Sequence, residues 1–321
     1  MAKFNENIVI GEPALPFSAL DPAIIKAAEK NPRILAVMED MGFPSIEWWM
    51  ENAPDRLVEC GIAEANAAVV AAGLAAEGYT PILMGFMFSE FARALNQIRQ
   101  SILVDRFNVK MIAREGVLTE LGVSHATFEG VATGRVLPNL VILCPADYWD
   151  CYKAISAMLD YVGPVLVKME FGGPAPLSMF TEQSEFTIGK GVFLKNGKDA
   201  TIISTGFMTS QAVKAIDLLE KDGLDVGILN LTTIKPLDEE AIIAAAKESG
   251  AIVTAETNSV IGGLGEGVAG VLARNYPVPV DMIGIDDEFG QSGHGELIAH
   301  YGLAETDLAA AVKGVIARKR A

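Results

Sequence analysis

The sequence predicts an α/β protein of two domains, each a mainly parallel sheet flanked by helices. Three observations carry that reading. Short apolar runs alternate with Ala-rich amphipathic stretches along most of the chain, the pattern of strand and helix units stacked on parallel sheets. The length, 321 residues, suits two domains of ordinary size. Near the middle, the polar stretch 171–198 has Gly-containing turns and little helical periodicity, so the domain boundary falls inside it and divides the chain into residues 1–180 and 181–321.

In the first half the short apolar runs predict strands at 34–38, 81–84, 109–113, 141–144 and 165–169. The amphipathic stretches between them predict helices at 22–30, 63–77, 90–103 and 149–161. The second half repeats the alternation. Strands are expected at 200–204, 225–230, 251–255 and 280–285, and helices at 210–222, 238–248, 267–275 and 295–300. No short repeat or low-complexity tract breaks the pattern.

Composition narrows the function. Hydrophobic residues make up 50% and charged residues 21%, an ordinary globular balance far from that of a disordered chain. Lys and Arg total 25 against 41 Asp and Glu, and the resulting net charge of −16 repels phosphate backbones and anionic lipid. Nucleic acid and membrane surfaces are therefore poor partners. The best candidate for a membrane span, 65–76, is too short and carries Asn66. The first residues have no apolar stretch of signal-peptide type, and Cys60, Cys144 and Cys151 lack metal-ligand spacing. A cytoplasmic protein with free thiols is expected.

The chemistry-bearing run is Gly61-Ile62-Ala63-Glu64-Ala65-Asn66, which follows Arg56-Leu57-Val58-Glu59 and opens an Ala-rich helix. On spacing alone, two readings of Glu64 stand, an acid that favours the helix dipole and a functional carboxyl. Further landmarks follow in order: Gln97-Ile98-Arg99, Gly122-Val123-Ser124-His125, Leu137-Pro138-Asn139-Leu140 and Cys144-Pro145-Ala146-Asp147. The second half adds Thr233-Ile234-Lys235-Pro236-Leu237-Asp238, then Glu256-Thr257-Asn258-Ser259 with Gly262-Gly263-Leu264-Gly265, and finally Phe289-Gly290-Gln291-Ser292-Gly293.

Together these motifs resemble the transketolase family of thiamine diphosphate enzymes over nearly the whole chain. The resemblance implies a thiamine diphosphate pyrimidine-binding fold followed by a transketolase C-terminal domain. It implies that Glu64 hydrogen-bonds a ring nitrogen of the cofactor's aminopyrimidine, favouring the imino tautomer whose free nitrogen takes the proton from the thiazolium carbon. It places His125 against the substrate's oxygens, where imidazole exchanges protons near neutral pH. Aromatics that stack on the pyrimidine fall near Phe86, Phe88 and Phe91, of which Phe88 and Phe91 are the cofactor-binding candidates, although such spacing equally suits core packing.

The family's diphosphate-binding domain, with its Gly-Asp-Gly and downstream Asn, has no counterpart in this sequence. The expectation is a small, C-terminal subunit of a split transketolase, active in a heterotetramer with a larger subunit that holds the diphosphate and Mg2+. At the substrate end, Leu15 and Pro16, Leu121 and Phe171 stand where the family carries phosphate- or hydroxyl-binding residues. Ala113 replaces a His, with Arg114 beside it as a substitute cation. Ketol transfer between a ketose-like donor and an aldehyde acceptor is the expected reaction. The alternatives are the beta subunit of a 2-oxo acid dehydrogenase complex, a deoxyxylulose-phosphate-synthase-like enzyme, or an inactive regulatory subunit. A formal dinucleotide fingerprint, Gly265-x-Gly267-x-x-Gly270, competes, but the strand expected to precede it ends near Ala255, too far upstream.

Overall fold

The computed structural model describes residues 3–39, 45–86, 93–114, 116–119, 121–170, 172–290 and 294–320. Two large sheets dominate. The first has seven strands in the order Thr233–Lys235, Val141–Leu143, Val165–Met169, Lys110–Arg114, Thr80–Phe86, Ile34–Met38 and Leu57–Glu59, all parallel except the first pair. The second runs Val280–Ile285, Ile252–Ser259, Ala200–Ser204, Val226–Asn230 and Val192–Lys195, with only the last strand antiparallel. A short antiparallel pair, Gly11–Pro13 with Leu177–Ser178, stands apart. The mainly parallel α/β architecture agrees with the expectation from the sequence.

The strands at the centre of each sheet are apolar on both faces because helices cover both faces. Ile34–Met38, Val165–Met169 and Ala200–Ser204 are buried at every position. Residue parity sorts the side chains of Ile34–Met38. Leu35 and Val37 join a core that holds Ala67, Ala68 and Ala71 of the helix Glu64–Ala76, whereas Ile34, Ala36 and Met38 face the opposite core. The first of these cores also takes in Ile203, Leu229 and Leu264, so apolar packing is continuous between the two sheets.

Several elements depart from their expected bounds. The strand expected at 251–255 runs on to Ser259, since Glu256, Thr257, Asn258 and Ser259 are buried despite their polarity. The helix expected at 90–103 is described from residue 93 onward as a single α turn, Leu95–Gln97, followed by a π-helix, Ile98–Leu103. The helices Ile46–Asn52, Gly130–Val136 and Glu305–Arg320 were not expected. Nor was Thr233–Lys235, which returns from the second half to pair with Val141–Leu143.

A carboxylate pair ties the halves together. Asp147 caps the helix Tyr148–Asp160 by accepting from the Asp150 amide at 2.9 Å, and its other oxygen accepts from the amides of Met179 and Phe180 at 2.5 and 2.8 Å. Asp150 accepts from the Ala146 amide at 2.8 Å and from the Thr232 hydroxyl at 2.7 Å. Asp147→Ala leaves three amides without their acceptor, two of them in a buried linker, and is expected to destabilise the chain by about 2–4 kcal/mol. Chemical unfolding of the variant tests this, and a change below about 0.5 kcal/mol would show that water replaces the carboxylate.

Candidate active site

In open parallel sheets, ligands bind beyond the carboxyl ends of the strands where the winding reverses direction. The reversal here lies at Ile34–Met38. The chain first steps outward to Leu57–Glu59, then crosses back over to Thr80–Phe86 through the helix Glu64–Ala76. The start of that helix therefore opens on the crevice.

The run that delivers Glu64 is held by its own residues. The Arg56 guanidinium donates to the carbonyls of Ala28, Ile34 and Asn31 at 3.0, 3.1 and 3.3 Å, and its charge stands 5.4 Å from the Trp49 ring centre. Glu59 turns back to accept from the Gly61 amide at 2.6 Å, and Gly61 adopts φ +67, a conformation that favours glycine. Ala63 bonds the Gly61 carbonyl at 2.7 Å, and the helix begins at the next residue. Arg56 and Glu59 are thus structural, and the tight turn they support places Glu64 at the helix start, only 7% exposed.

Two groups missed by sequence reasoning surround Glu64. Arg93 donates to Glu64 Oε1 at 2.9 Å from a largely exposed position. Glu39 follows the last residue of Ile34–Met38, is 4% exposed, and its Oε1 has no hydrogen-bond partner among the described residues. Burial, reinforced by the negative charge of Glu64, pushes the Glu39 carboxyl up to about 8. The available signal was its place, an acid directly after an apolar strand at the reversal of the winding.

The proposed substrate side lies along the same sheet edge. Arg114 ends the neighbouring strand Lys110–Arg114, two strand spacings, roughly 10 Å, from Ile34–Met38. Its guanidinium stands 4.7 Å from the Phe17 ring centre, and burial lowers its pKa. His125 is exposed in the following loop, where its amide donates to the Gly122 carbonyl at 3.0 Å and its Nδ1 lies 3.0 Å from the Ser124 hydroxyl. Glu64, Arg114 and His125 all lie at or beyond the carboxyl ends of the strands of the first sheet. Phe88, Phe91 and Phe171 lie outside the described residues.

Leu15 and Leu121 are exposed, each 53%. Leu15 and Pro16 line a small cavity between the halves with Cys144, Lys168, Glu170 and Phe207. Its cation is already engaged. Lys168 donates to Glu170 Oε2 and to the Thr257 hydroxyl at 2.9 Å, and Thr257 donates to the same Glu170 oxygen at 2.7 Å.

The competing dinucleotide reading fails on geometry. The strand Ile252–Ser259 does approach the helix Leu264–Asn275 more closely than expected, but Glu256 fills the helix entrance. Its oxygens accept from the amides of Leu264 and Gly265 at 2.8 and 2.9 Å, where a diphosphate would otherwise bind. Gly263 and Gly267 serve close approach, since an added Cβ would sit 2.1 Å from the Ser259 carbonyl oxygen or 2.7 Å from Arg135 Nη2.

Among the described residues no cluster of three or more His, Cys, Asp or Glu suits a metal ion, and no helix is long and apolar enough to cross a membrane. The crevice offers groups that fit the pyrimidine half of thiamine diphosphate, a shielded carboxyl at the helix start and an unpartnered carboxyl oxygen beside it. It offers no set of hard oxygen ligands for a diphosphate-bound metal among those residues.

Comparison with known proteins identifies both halves of the chain. Residues 17–170 match the transketolase pyrimidine binding domain and residues 189–308 the transketolase C-terminal domain. The chain is 36% identical over 300 residues to the 6-deoxy-6-sulfo-D-fructose transketolase subunit of Clostridium sp. (strain MSTE9), covering 92% of each chain. It is 35% identical over 285 residues to one of the subunits of the apulose-4-phosphate transketolase of Phocaeicola vulgatus, covering 87% of this chain and 90% of that one. A solved structure described as a split-gene transketolase, inactive beta4 tetramer, superposes with a TM-score of 0.87 at 34% identity, covering 96% of this chain and 100% of the other.

Proposed function

The chain belongs to the transketolase family, and from that premise we propose that it is the smaller subunit of a split, thiamine diphosphate-dependent enzyme. The reaction is transfer of a two-carbon ketol unit from a ketose-like donor to an aldehyde. The observation that carries this reading is the shielded Glu64 carboxyl at the start of a crossover helix, on the sheet edge where the winding reverses. When bound, thiamine diphosphate supplies a carbanion nucleophile. In this reading Glu64 holds a proton at the pyrimidine ring nitrogen, which requires Arg93 to give up or share the carboxylate oxygen it now occupies. His125 exchanges protons with the substrate's oxygens and Arg114 supplies a cation beside it. Phe88 and Phe91 remain the candidates for stacking on the pyrimidine.

The diphosphate and Mg2+ come with the larger subunit. The outer face of the helix Glu64–Ala76 supports this arrangement, because beyond Asn66 its exposed residues, Val69, Gly73 and Ala76, are apolar where solvent would favour polar side chains. Val69 is 46% exposed, and Ile62, just before the helix, is 72% exposed. A partner that brings the diphosphate half to Glu64 must dock beside that face. The relative described as an inactive beta4 tetramer fits a small subunit that is idle without its partner.

Reconstitution with a larger partner that carries Gly-Asp-Gly tests the reading directly. Ketol transfer is expected from the mixture and from neither component alone. Calorimetry supplies a second check. The isolated chain is expected to bind thiamine diphosphate and magnesium only weakly, because the charge-assisted contacts to the diphosphate lie elsewhere. Tight binding by this chain alone would overturn the shared site.

A further inference from the structure

Glu39 has no role in the reading above, yet it is the most conspicuous polar group near Glu64. It is 4% exposed, and its Oε1 has no hydrogen-bond partner among the described residues. Leu35 and Val37 face the helix Glu64–Ala76, and Glu39 is the residue directly after that strand, close enough to Glu64 to feel its charge.

Among the described residues, the titratable groups that act on Glu39 or feel its charge are Glu64 from the helix and Cys60 from just beyond the adjacent strand, with Glu59 acting on Cys60 in turn. Burial and the charges of Glu59 and Glu39 push the Cys60 thiol up, so it adds no further negative charge. The cation nearby is Arg93, which pairs with Glu64 from the surface, and no salt bridge reaches Glu39 among the described residues. Two carboxylates in a poorly solvated corner do not both keep their charge when one exposed cation serves one of them.

We propose that Glu39 is a positioning residue for Glu64: the two carboxyls carry one negative charge between them, with the proton on Glu39 and the charge on Glu64. The proposal rests on Glu64 facing the cofactor's pyrimidine. Neutral Glu39 leaves Glu64 as the acceptor in the crevice and makes loss of a second proton costly. Glu64 thus stays the acceptor that meets the pyrimidine nitrogen. Removing Glu39 acts through its neighbour Glu64, without any contact to substrate.

Infrared spectroscopy of the full cofactor-free chain reads the pairing without turnover. A carboxylic-acid stretch that titrates near pH 8 is expected in the wild type. It is expected to be absent in Glu39→Gln and moved to lower pH in Glu64→Gln. Subtracting the Glu39→Gln titration removes other buried acids such as Asp150 and Glu256, which titrate near 7.

In the reconstituted complex, wild-type kcat is expected to fall as pH rises through about 8, where the pair loses its last proton. Glu39→Gln, a mimic of the protonated acid, is expected to lose that alkaline limb and to keep turnover at neutral pH within an order of magnitude. Superimposable titrations of wild type and Glu39→Gln would overturn the pairing. A coupled titration with an unchanged pH profile in Glu39→Gln would overturn its use in the reaction. Near-normal turnover by Glu64→Gln would instead overturn the reading of Glu64 and leave the titration standing. Should Glu39→Gln fail to fold, a Glu39 stretch unmoved in Glu64→Gln still overturns the proposal.

Discussion

Glu64→Gln in the reconstituted complex is expected to cut turnover by roughly 10²–10⁴, the range for loss of a positioned proton-transfer group. Gln keeps the volume and the capacity to accept a hydrogen bond but neither holds nor releases a proton at neutral pH. The fold should survive. The buried helix face is built from Ala67, Ala68, Ala71 and Ala75, and Glu64 contributes only its first turn. Arg93 loses its ion pair, but it is largely exposed, and such pairs contribute about 0–1 kcal/mol. Circular dichroism and partner binding should therefore match the wild type while kcat collapses. Turnover within about threefold of wild type would show that the carboxyl merely suits the helix dipole.

The second large effect concerns substrate choice. Donors whose only anionic handle is a terminal phosphate are expected to be poor by roughly 10²-fold or more in kcat/KM, relative to donors lacking it or presenting an anion elsewhere. The side chains of Leu15 and Leu121 offer an anion no donor, and both are exposed. Lys168, the cation of the adjacent cavity, is bound to Glu170 and Thr257. Arg114 remains, and it already stacks on Phe17. The two relatives compared above carry names that specify a sulfonated and a phosphorylated sugar, so proteins of this size meet different anions. A panel of phosphorylated ketoses against their unphosphorylated and sulfonated counterparts decides the matter. A terminal ketose phosphate as the best donor would show that Arg114 or the larger subunit replaces the missing anchors.

Much of the architecture was legible because it follows from local pattern. The strands Ile34–Met38, Val165–Met169, Ala200–Ser204 and Val280–Ile285 occupy the expected residues, since a short apolar run buried between helix layers is a property of the run itself. Elements defined by long-range pairing were not legible. Thr233–Lys235 is a strand because it meets Val141–Leu143, far earlier in the chain, and Glu256 to Ser259 extend theirs because Glu256 bonds the start of the helix Leu264–Asn275 while Thr257 and Ser259 bond Lys168 and Phe128 from the first half.

The candidate site divides in the same way. The ordered motifs, through the family resemblance they carry, were enough to single out Glu64 and His125 as candidates. Arg56 and Glu59 belong to the same run, but only the fold shows that they brace the turn. Arg93 and the Lys168–Glu170–Thr257 cluster carry no signal in a linear reading, and Glu39 carries only its place directly after an apolar run, because their significance lies in what shields and faces them. A carboxyl's proton affinity depends on solvent exclusion and on charges brought near by strand order and crossover. The sequence alone determined the family, the fold class and one acid at the start of a helix. The tertiary structure decided which second acid shares its surroundings, which cation occupies it and which basic side chain is already taken, since burial and through-space charge arise only once distant segments meet.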